Sequence, residues 1–243
     1  MERAVVYGTN PVIEALAANM AIEEIYLAVG ITESTRGKIQ LAARERGVRV
    51  FNTNRRELDR MSAGGVHQGV VAVCGRPSVL SLAQLQAIER PGRTLILALD
   101  EVQDPHNLGA LARSALAFGA QGIVIQARRS AGVSPGAIKA SAGALSRLPV
   151  ARVTNLSRAL EELKTAGYWI VGAVAHEGQA PWDLDPGEKI VLVLGSEGFG
   201  LRKGIQTLLD FRVQIPLNKS AESLNVSVAG ALLLYEWLGR ENR

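Results

Sequence analysis

A chain of 243 residues, 47% hydrophobic and 21% charged, is long enough to bury a core and is balanced like a folded protein rather than a disordered one. Apolar runs such as 94–99 and 190–194 fall far short of the roughly 20 residues that cross a bilayer, and Met1-Glu2-Arg3-Ala4 leads into strand-like Val5-Val6-Tyr7 without a signal-peptide pattern. Cys74 is the single cysteine, which excludes an internal disulfide and a thiolate metal cluster; with a net charge of only +4, the expectation is a cytoplasmic protein with neither membrane nor metal.

Taken in chain order, residues 5–7, 24–29, 48–51 and 69–73 read as strands, and 10–19, 34–46 and 54–63 as helices. Thr9 or Asn10 can cap the first helix, and Pro11 suits its first turn. This alternation predicts a small α/β domain over residues 1–76. Arg44, Arg46, Arg49, Arg55, Arg56 and Arg60 make it basic; arginine outnumbers lysine in the whole chain and supplies planar, bidentate donors for phosphate. A solvated helix face accounts for the same residues equally well. Gly64-Gly65-Val66-His67-Gln68-Gly69 is a glycine-flanked turn into a strand, where a lone histidine is most often structural.

A connector runs over 77–92, from Pro77-Ser78 through a short helical stretch to Pro91-Gly92. The pattern then restarts over 93–243. Strands are predicted at 94–100, 122–126, 168–174, 190–194 and 211–215, with helices at 108–118, 135–144, 156–165 and 200–209 between them. A last helix is expected from an N-cap at Ser223 to Leu238. Strands alternating with helices imply a mostly parallel sheet with helices on both faces.

Three segments of this second part are rich in polar residues with fixed roles. Asn107-Leu108-Gly109-Ala110-Leu111-Ala112-Arg113 opens a helix for which Asn107 is a good N-cap. Leu108, Leu111, Ala112, Ala115 and Leu116 form its apolar stripe, and Arg113 falls roughly 130° from the centre of that stripe, off the core face. Alone, it is an exposed arginine. Leu194-Gly195-Ser196-Glu197-Gly198-Phe199-Gly200 follows a buried-type strand, and its glycines let main chain approach a ligand. It has no Lys-Ser/Thr pair of a phosphate loop, and it comes too late in the chain for a dinucleotide fingerprint. Glu197 would repel phosphate but accept hydrogen bonds from a ribose hydroxyl or an amino group. The third segment runs from Ile215-Pro216 to Ser223-Leu224-Asn225-Val226-Ser227-Val228-Ala229, with Asn225 in a first helical turn whose N–H groups are unmet.

In order, spacing and chemistry, the three segments resemble the motifs of the SpoU/TrmH (SPOUT) family of ribose 2′-O-methyltransferases. Tyr7-Gly8-Thr9-Asn10-Pro11-Val12 and His67-Gln68-Gly69 resemble the ribosomal-protein-like (L30e-like) substrate domain of one branch of it. The resemblance implies an α/β fold: a C-terminal SPOUT domain with a mostly parallel sheet and a trefoil knot, plus a small N-terminal L30e-like α/β domain. It implies S-adenosyl-L-methionine as cofactor, held largely by main chain at Gly195, Ile215 and Leu224. It implies a catalytic set of Asn107, Arg113, Glu197, Ser223 and Asn225, and a homodimer. It casts Arg113 as the group that helps the 2′-hydroxyl lose its proton, either as a base or as an electrostatic stabiliser. Within the family the N-terminal domain points to ribosomal RNA, a guanosine of 23S rRNA. A tRNA ribose methyltransferase and an inactive RNA-binding protein are the alternatives.

Overall fold

The computed structural model describes residues 5–17, 20, 22–75, 79–196, 198–218 and 223–240. The chain packs into two compact units, 1–77 and 78–243.

In the first unit, β1 (Val5–Tyr7), α1 (Thr9–Ala17), β2 (Ile22–Ala28), α2 (Glu33–Glu45), β3 (Arg49–Thr53), α3 (Arg55–Met61) and β4 (Val70–Cys74) follow one another. The four strands lie in the order β1-β4-β2-β3, with β2 and β3 parallel and the other pairs antiparallel. Every residue of β4 is buried, because it lies inside the sheet with helices on both faces. Val12, Leu16, Ile25, Leu27, Ile39 and Val70 form the main core with α1 and α2, while Leu58 of α3 packs on the opposite face against Ala28 and Val71. Thr9 and Asn10 lie inside α1 rather than capping it. The Thr9 N–H is met from across the unit by Gln68 Oε1 at 3.1 Å. His67 is buried: its Nε2 lies 2.9 Å from Asp59 Oδ1, and its Nδ1 accepts from the Gly69 N–H at 3.0 Å. That acceptor role assigns the ring proton to Nε2 and makes His67 a brace for the turn.

The second unit begins with a strand absent from the sequence reading, followed by the short helix expected in the connector. β5 (Val79–Leu80) pairs with β8 (Val150–Val153), and α4 (Leu82–Gln86) packs beside them. Most of the stretch expected as a connector is therefore structural. β6 (Thr94–Leu99), α5 (Pro105–Phe118), β7 (Gly122–Gln126), α6 (Pro135–Ala140), α7 (Leu156–Thr165), β9 (Trp169–Ala173), β10 (Lys189–Leu194), α8 (Lys203–Gln206), β11 (Phe211–Val213) and α9 (Val226–Leu234) complete it. Seven parallel strands run in the order β11-β9-β10-β6-β7-β8-β5. Ile96, Val124, Val191 and Val193 face a core closed by Leu160 and Leu163 of α7 and Ile205 of α8. On α5, Leu108, Leu111, Ala112 and Ala115 are buried as their spacing predicts.

Three helix starts differ from expectation. α5 is capped by Asp104, whose Oδ1 accepts from the His106 N–H at 2.8 Å, so Asn107 lies in the first turn instead of at the cap. α9 is capped by Asn225 rather than Ser223: Asn225 Oδ1 accepts from the Ser227 N–H at 2.9 Å. α8 is a single turn, shorter than the expected 200–209, because the glycine loop runs on to Arg202 before it begins.

Candidate active site

A parallel sheet places the carboxyl ends of all its strands along one edge, and the loops leaving that edge are where such folds bind ligands. Here those loops enclose a cavity of about 630 Å³. Its walls come from residues 173–177 after β9, from the glycine loop after β10, from Val213, Ile215 and Leu217 at and after β11, and from Ser223, Leu224, Val226 and Ala229 at the start of α9. Glu177 and Arg212 add a carboxylate and a guanidinium to a lining that is about as polar as it is apolar.

Local geometry explains the glycine at 195. A Cβ there would sit 2.2 Å from the Gly200 carbonyl carbon and 2.3 Å from its oxygen, a clash with main chain that no side chain relieves. Ser196 and Gly200 exchange two main-chain hydrogen bonds of 3.1 and 2.9 Å, which folds the loop back on itself. The loop after β9 is stitched to β11 by the Gln179 N–H to Arg212 O bond at 2.9 Å and the Gln214 N–H to Gln179 O bond at 2.8 Å. Backbone strain gathers along the same edge. Glu101, Arg129 and Glu177, which follow β6, β7 and β9, all hold φ near +58° to +59°, a conformation that side chains disfavour and that recurs at working sites.

The segments predicted from sequence converge unevenly. Gly195, Ile215, Ser223 and Leu224 all line the cavity. Asn225 Nδ2 donates to Asn107 Oδ1 at 3.1 Å across 118 residues of chain. The cap fixes which way that amide points: Asn225 Oδ1 is taken by the Ser227 N–H and by Ser227 Oγ at 2.6 Å, so the NH₂ must face Asn107. Arg113 is not among the lining residues. It projects from α5, exposed and without a partner among the described residues. Glu197 lies outside the described residues.

An ion pair between a buried carboxylate and a guanidinium that reaches solvent escaped the sequence reading. Asp100, directly after β6, is fully buried and accepts two hydrogen bonds from Arg202, Oδ2 from the main-chain N–H at 2.9 Å and Oδ1 from Nε at 2.7 Å, with Nη2 in ion-pair contact at 2.6 Å from Oδ1. Arg202 Nη2 also reaches Gln126 Oε1 at 3.1 Å, and its Nη1 lies 3.4 Å from Glu101 Oε1. The one clue in the sequence was a carboxylate placed directly after the apolar strand Leu95-Ile96-Leu97-Ala98-Leu99. Among the described residues, no three His, Cys, Asp or Glu side chains are grouped to hold a metal ion, and no helix is long and apolar enough to cross a membrane.

Comparison with known proteins follows this geometry. Residues 94–235 match the SpoU rRNA methylase family, and residues 5–80 match the RNA 2′-O ribose methyltransferase substrate-binding family. The chain is 38% identical over 239 residues to YacO of Bacillus subtilis, assigned to the TrmH family of tRNA/rRNA methyltransferases, covering 98% of this chain and 96% of that one. It is 40% identical over 249 residues to a Mycobacterium tuberculosis protein classed as a tRNA/rRNA methyltransferase, covering 100% of this chain and 76% of that one. Among solved structures, the SpoU methyltransferase AviRb of Streptomyces viridochromogenes, in complex with AdoMet, superposes with a TM-score of 0.73 at 27% identity, over 98% of this chain and 90% of that one. A TrmH-family RNA methyltransferase structure from Porphyromonas gingivalis gives 0.71 at 29% identity, again over 98% and 90%.

Proposed function

The chain belongs to the SpoU rRNA methylase family, and on that premise we propose that it transfers a methyl group from S-adenosylmethionine to the ribose 2′-hydroxyl of a guanosine in 23S ribosomal RNA. The observation that carries this reading is the cavity at the carboxyl ends of β9, β10 and β11, walled by Gly195, Ile215 and Leu224, in a unit that also bonds Asn107 to Asn225.

The residues present fit the cofactor. At about 630 Å³ the cavity lies within the size range of small-molecule sites. The apolar part of its wall, from Val213, Ile215, Leu217 and Leu224, suits an adenine ring. Glu177 and Arg212 offer opposite charges to a zwitterionic amino-acid tail, and main chain comes close where Gly195 has no room for a side chain. When bound, the cofactor supplies a methyl group activated by a positively charged sulfur. The protein's part is then to hold, orient and activate the acceptor.

Gly195, Ile215 and Leu224 hold the cofactor, and Ser223 stands at the same wall. Asn225, pinned by Asn107 and by its own cap, is a rigid polar group at the start of α9. Glu197 belongs to the same catalytic set by its place in the glycine loop. Arg113 is free to meet an RNA phosphate and to stabilise the 2′-oxygen as its proton leaves. A guanidinium pKa above about 12 makes electrostatic stabilisation its role rather than proton uptake.

The first unit favours ribosomal over transfer RNA as substrate, and with it a cytoplasmic enzyme. Arg44, Arg55 and Arg56 are exposed there and carry no ion pair among the described residues, as phosphate contacts require. A homodimer is supported by α9. That helix buries Gly230, Leu233 and Leu234 against its own unit, yet its Val228 and Leu232, with Tyr235 just past its end, form a second, exposed stripe at helical spacing. A helix apolar on all sides needs cover on all sides.

The test is transfer of labelled methyl from S-adenosylmethionine to protein-free ribosomal RNA and, separately, to bulk tRNA. Alkali-resistant label in ribosomal RNA alone is expected. Label in tRNA alone would keep the chemistry and overturn the substrate. Cofactor binding with no label in either RNA would leave a binding protein, or an enzyme that acts on assembled particles.

A further inference from the structure

We propose that Asp100 and Arg202 are positioning residues: the pair sets the shape of the glycine loop that closes the cavity, and so the affinity for the methyl donor. The inference rests on the cavity being the cofactor site.

Asp100 grips both ends of this loop. Its main-chain N–H donates to Leu194 O at 2.8 Å, where β10 ends and the loop begins. Its carboxylate takes the main-chain N–H of Arg202 at 2.9 Å, where the loop ends and α8 begins. One residue directly after β6 thus fixes the distance that the loop must span. Between these anchors two main-chain bonds join Ser196 to Gly200, and Gly195 lies close against Gly200.

The Arg202 side chain completes the clamp by folding back onto the carboxylate that already holds its own main chain. Nε donates to Oδ1 at 2.7 Å and Nη2 lies 2.6 Å from the same oxygen, so a guanidinium that swung out to solvent would leave the buried carboxylate without its counter-charge. Burial makes this binding strict. Asp100 is 0% exposed, and a buried carboxylate without its partner is strongly disfavoured. Gln126, at the end of β7, receives a further bond from Nη2 at 3.1 Å and orients the guanidinium plane.

A pair serving stability alone would need no such placement. Here Asp100 is bonded to residues at both ends of the loop, and Leu194, Gly195, Ser196, Gly200 and Leu201 all line the cavity. Arg202 is itself not a lining residue, so its effect passes through the loop.

The experiment measures calorimetric binding of S-adenosylhomocysteine to the whole chain, well below its unfolding temperature, together with amide exchange at Ser196 and Gly200. Arg202→Met keeps the aliphatic stem and removes the fork. It is expected to weaken binding by about 10²-fold, as small misplacements of a binding group do, and to speed exchange at those two amides. Arg202→Lys leaves Asp100 a counter-charge and is the variant to rely on if Arg202→Met does not fold. It should give a smaller loss in the same two readouts. Retention of RNA through the first unit should not change in either variant. Parent-like binding and exchange in a folded variant, with only a lowered unfolding temperature, would overturn the positioning role. Failure of the parent chain itself to bind S-adenosylhomocysteine would instead overturn the cofactor reading.

Discussion

In the first unit, β3 lies at the edge of its sheet with Arg49, Phe51 and Asn52 turned to solvent. In the second, β10 lies inside seven parallel strands, and only its first residue is exposed. Side chains near β3 make adjustable contacts: Arg49 pairs with Glu24 at 3.2 Å and lies over Phe51, which stacks on Tyr26. At the carboxyl end of β10 the contacts are main chain against main chain, and there is no room even for a methyl group. One region can adapt to an irregular polyanion. The other is packed main chain on main chain.

Substitutions that hit one region and spare the other sharpen this contrast. Arg113→Ala has the largest expected effect. Methyl transfer should fall by about 10²–10³, the cost of losing one charge stabiliser, while cofactor affinity is kept. Because Arg113 is exposed and has no partner among the described residues, the unfolding free energy should move by no more than about 0.5 kcal/mol. Weak cofactor binding in this variant would sink the assignment. Gly195→Ala comes next, with transfer and cofactor binding both reduced by about 10²-fold as the loop is pushed off Gly200; filter retention of RNA should match the parent. Arg55→Ala with Arg56→Ala should do the reverse. RNA affinity should drop several-fold and its salt dependence should flatten by about one unit of slope per lost phosphate contact, with cofactor titrations unchanged. An unaltered salt slope would return these arginines to a merely solvated face.

The smallest effect is on alkaline stability. Burial, then the nearby Glu23 carboxylate, pushes the Cys74 thiol from 9.0 up to about 11, against a weaker opposing hydrogen bond from the Val6 main chain. The folded state therefore keeps this proton longer than the unfolded chain does. The contribution is full below pH 9 and is lost as pH rises through 11, with a slope of at most about 1.4 kcal/mol per pH unit. Tyr168 shifts the same way, mainly by burial, with a bond to Gln121 acting against it. Cys74→Ala should make the decline of the unfolding midpoint with rising pH shallower, as followed by circular dichroism.

Much of this was legible in the sequence because it rests on local pattern. The apolar runs of β6 and β10 and the stripe of α5 are written in residue spacing, and the exposure of Arg113 followed from helix geometry alone. Other features were hidden for identifiable reasons. β5 is two residues long, and β8 carries an exposed Arg152 within four, so neither reaches the length at which alternation can be recognised. Asp104 took the cap of α5 from Asn107 because Pro105 fits the first helical position, a signal that was present and underweighted. The order of the seven strands and the Asp100–Arg202 pair depend on residues that meet only after folding, and no window of sequence contains both partners.

That last point carries over to how the molecule is made. Asn107 meets Asn225 across 118 residues, and Asp100 meets Arg202 across 102. Bringing such distant ends together costs chain entropy that one side-chain contact cannot offset. In the folded chain the pairing of β6 with β10 over six residues brings these positions together. The cavity therefore exists only where segments distant in the chain have met. A ligand that occupies it recognises only chains that have finished, and its binding holds them there by mass action.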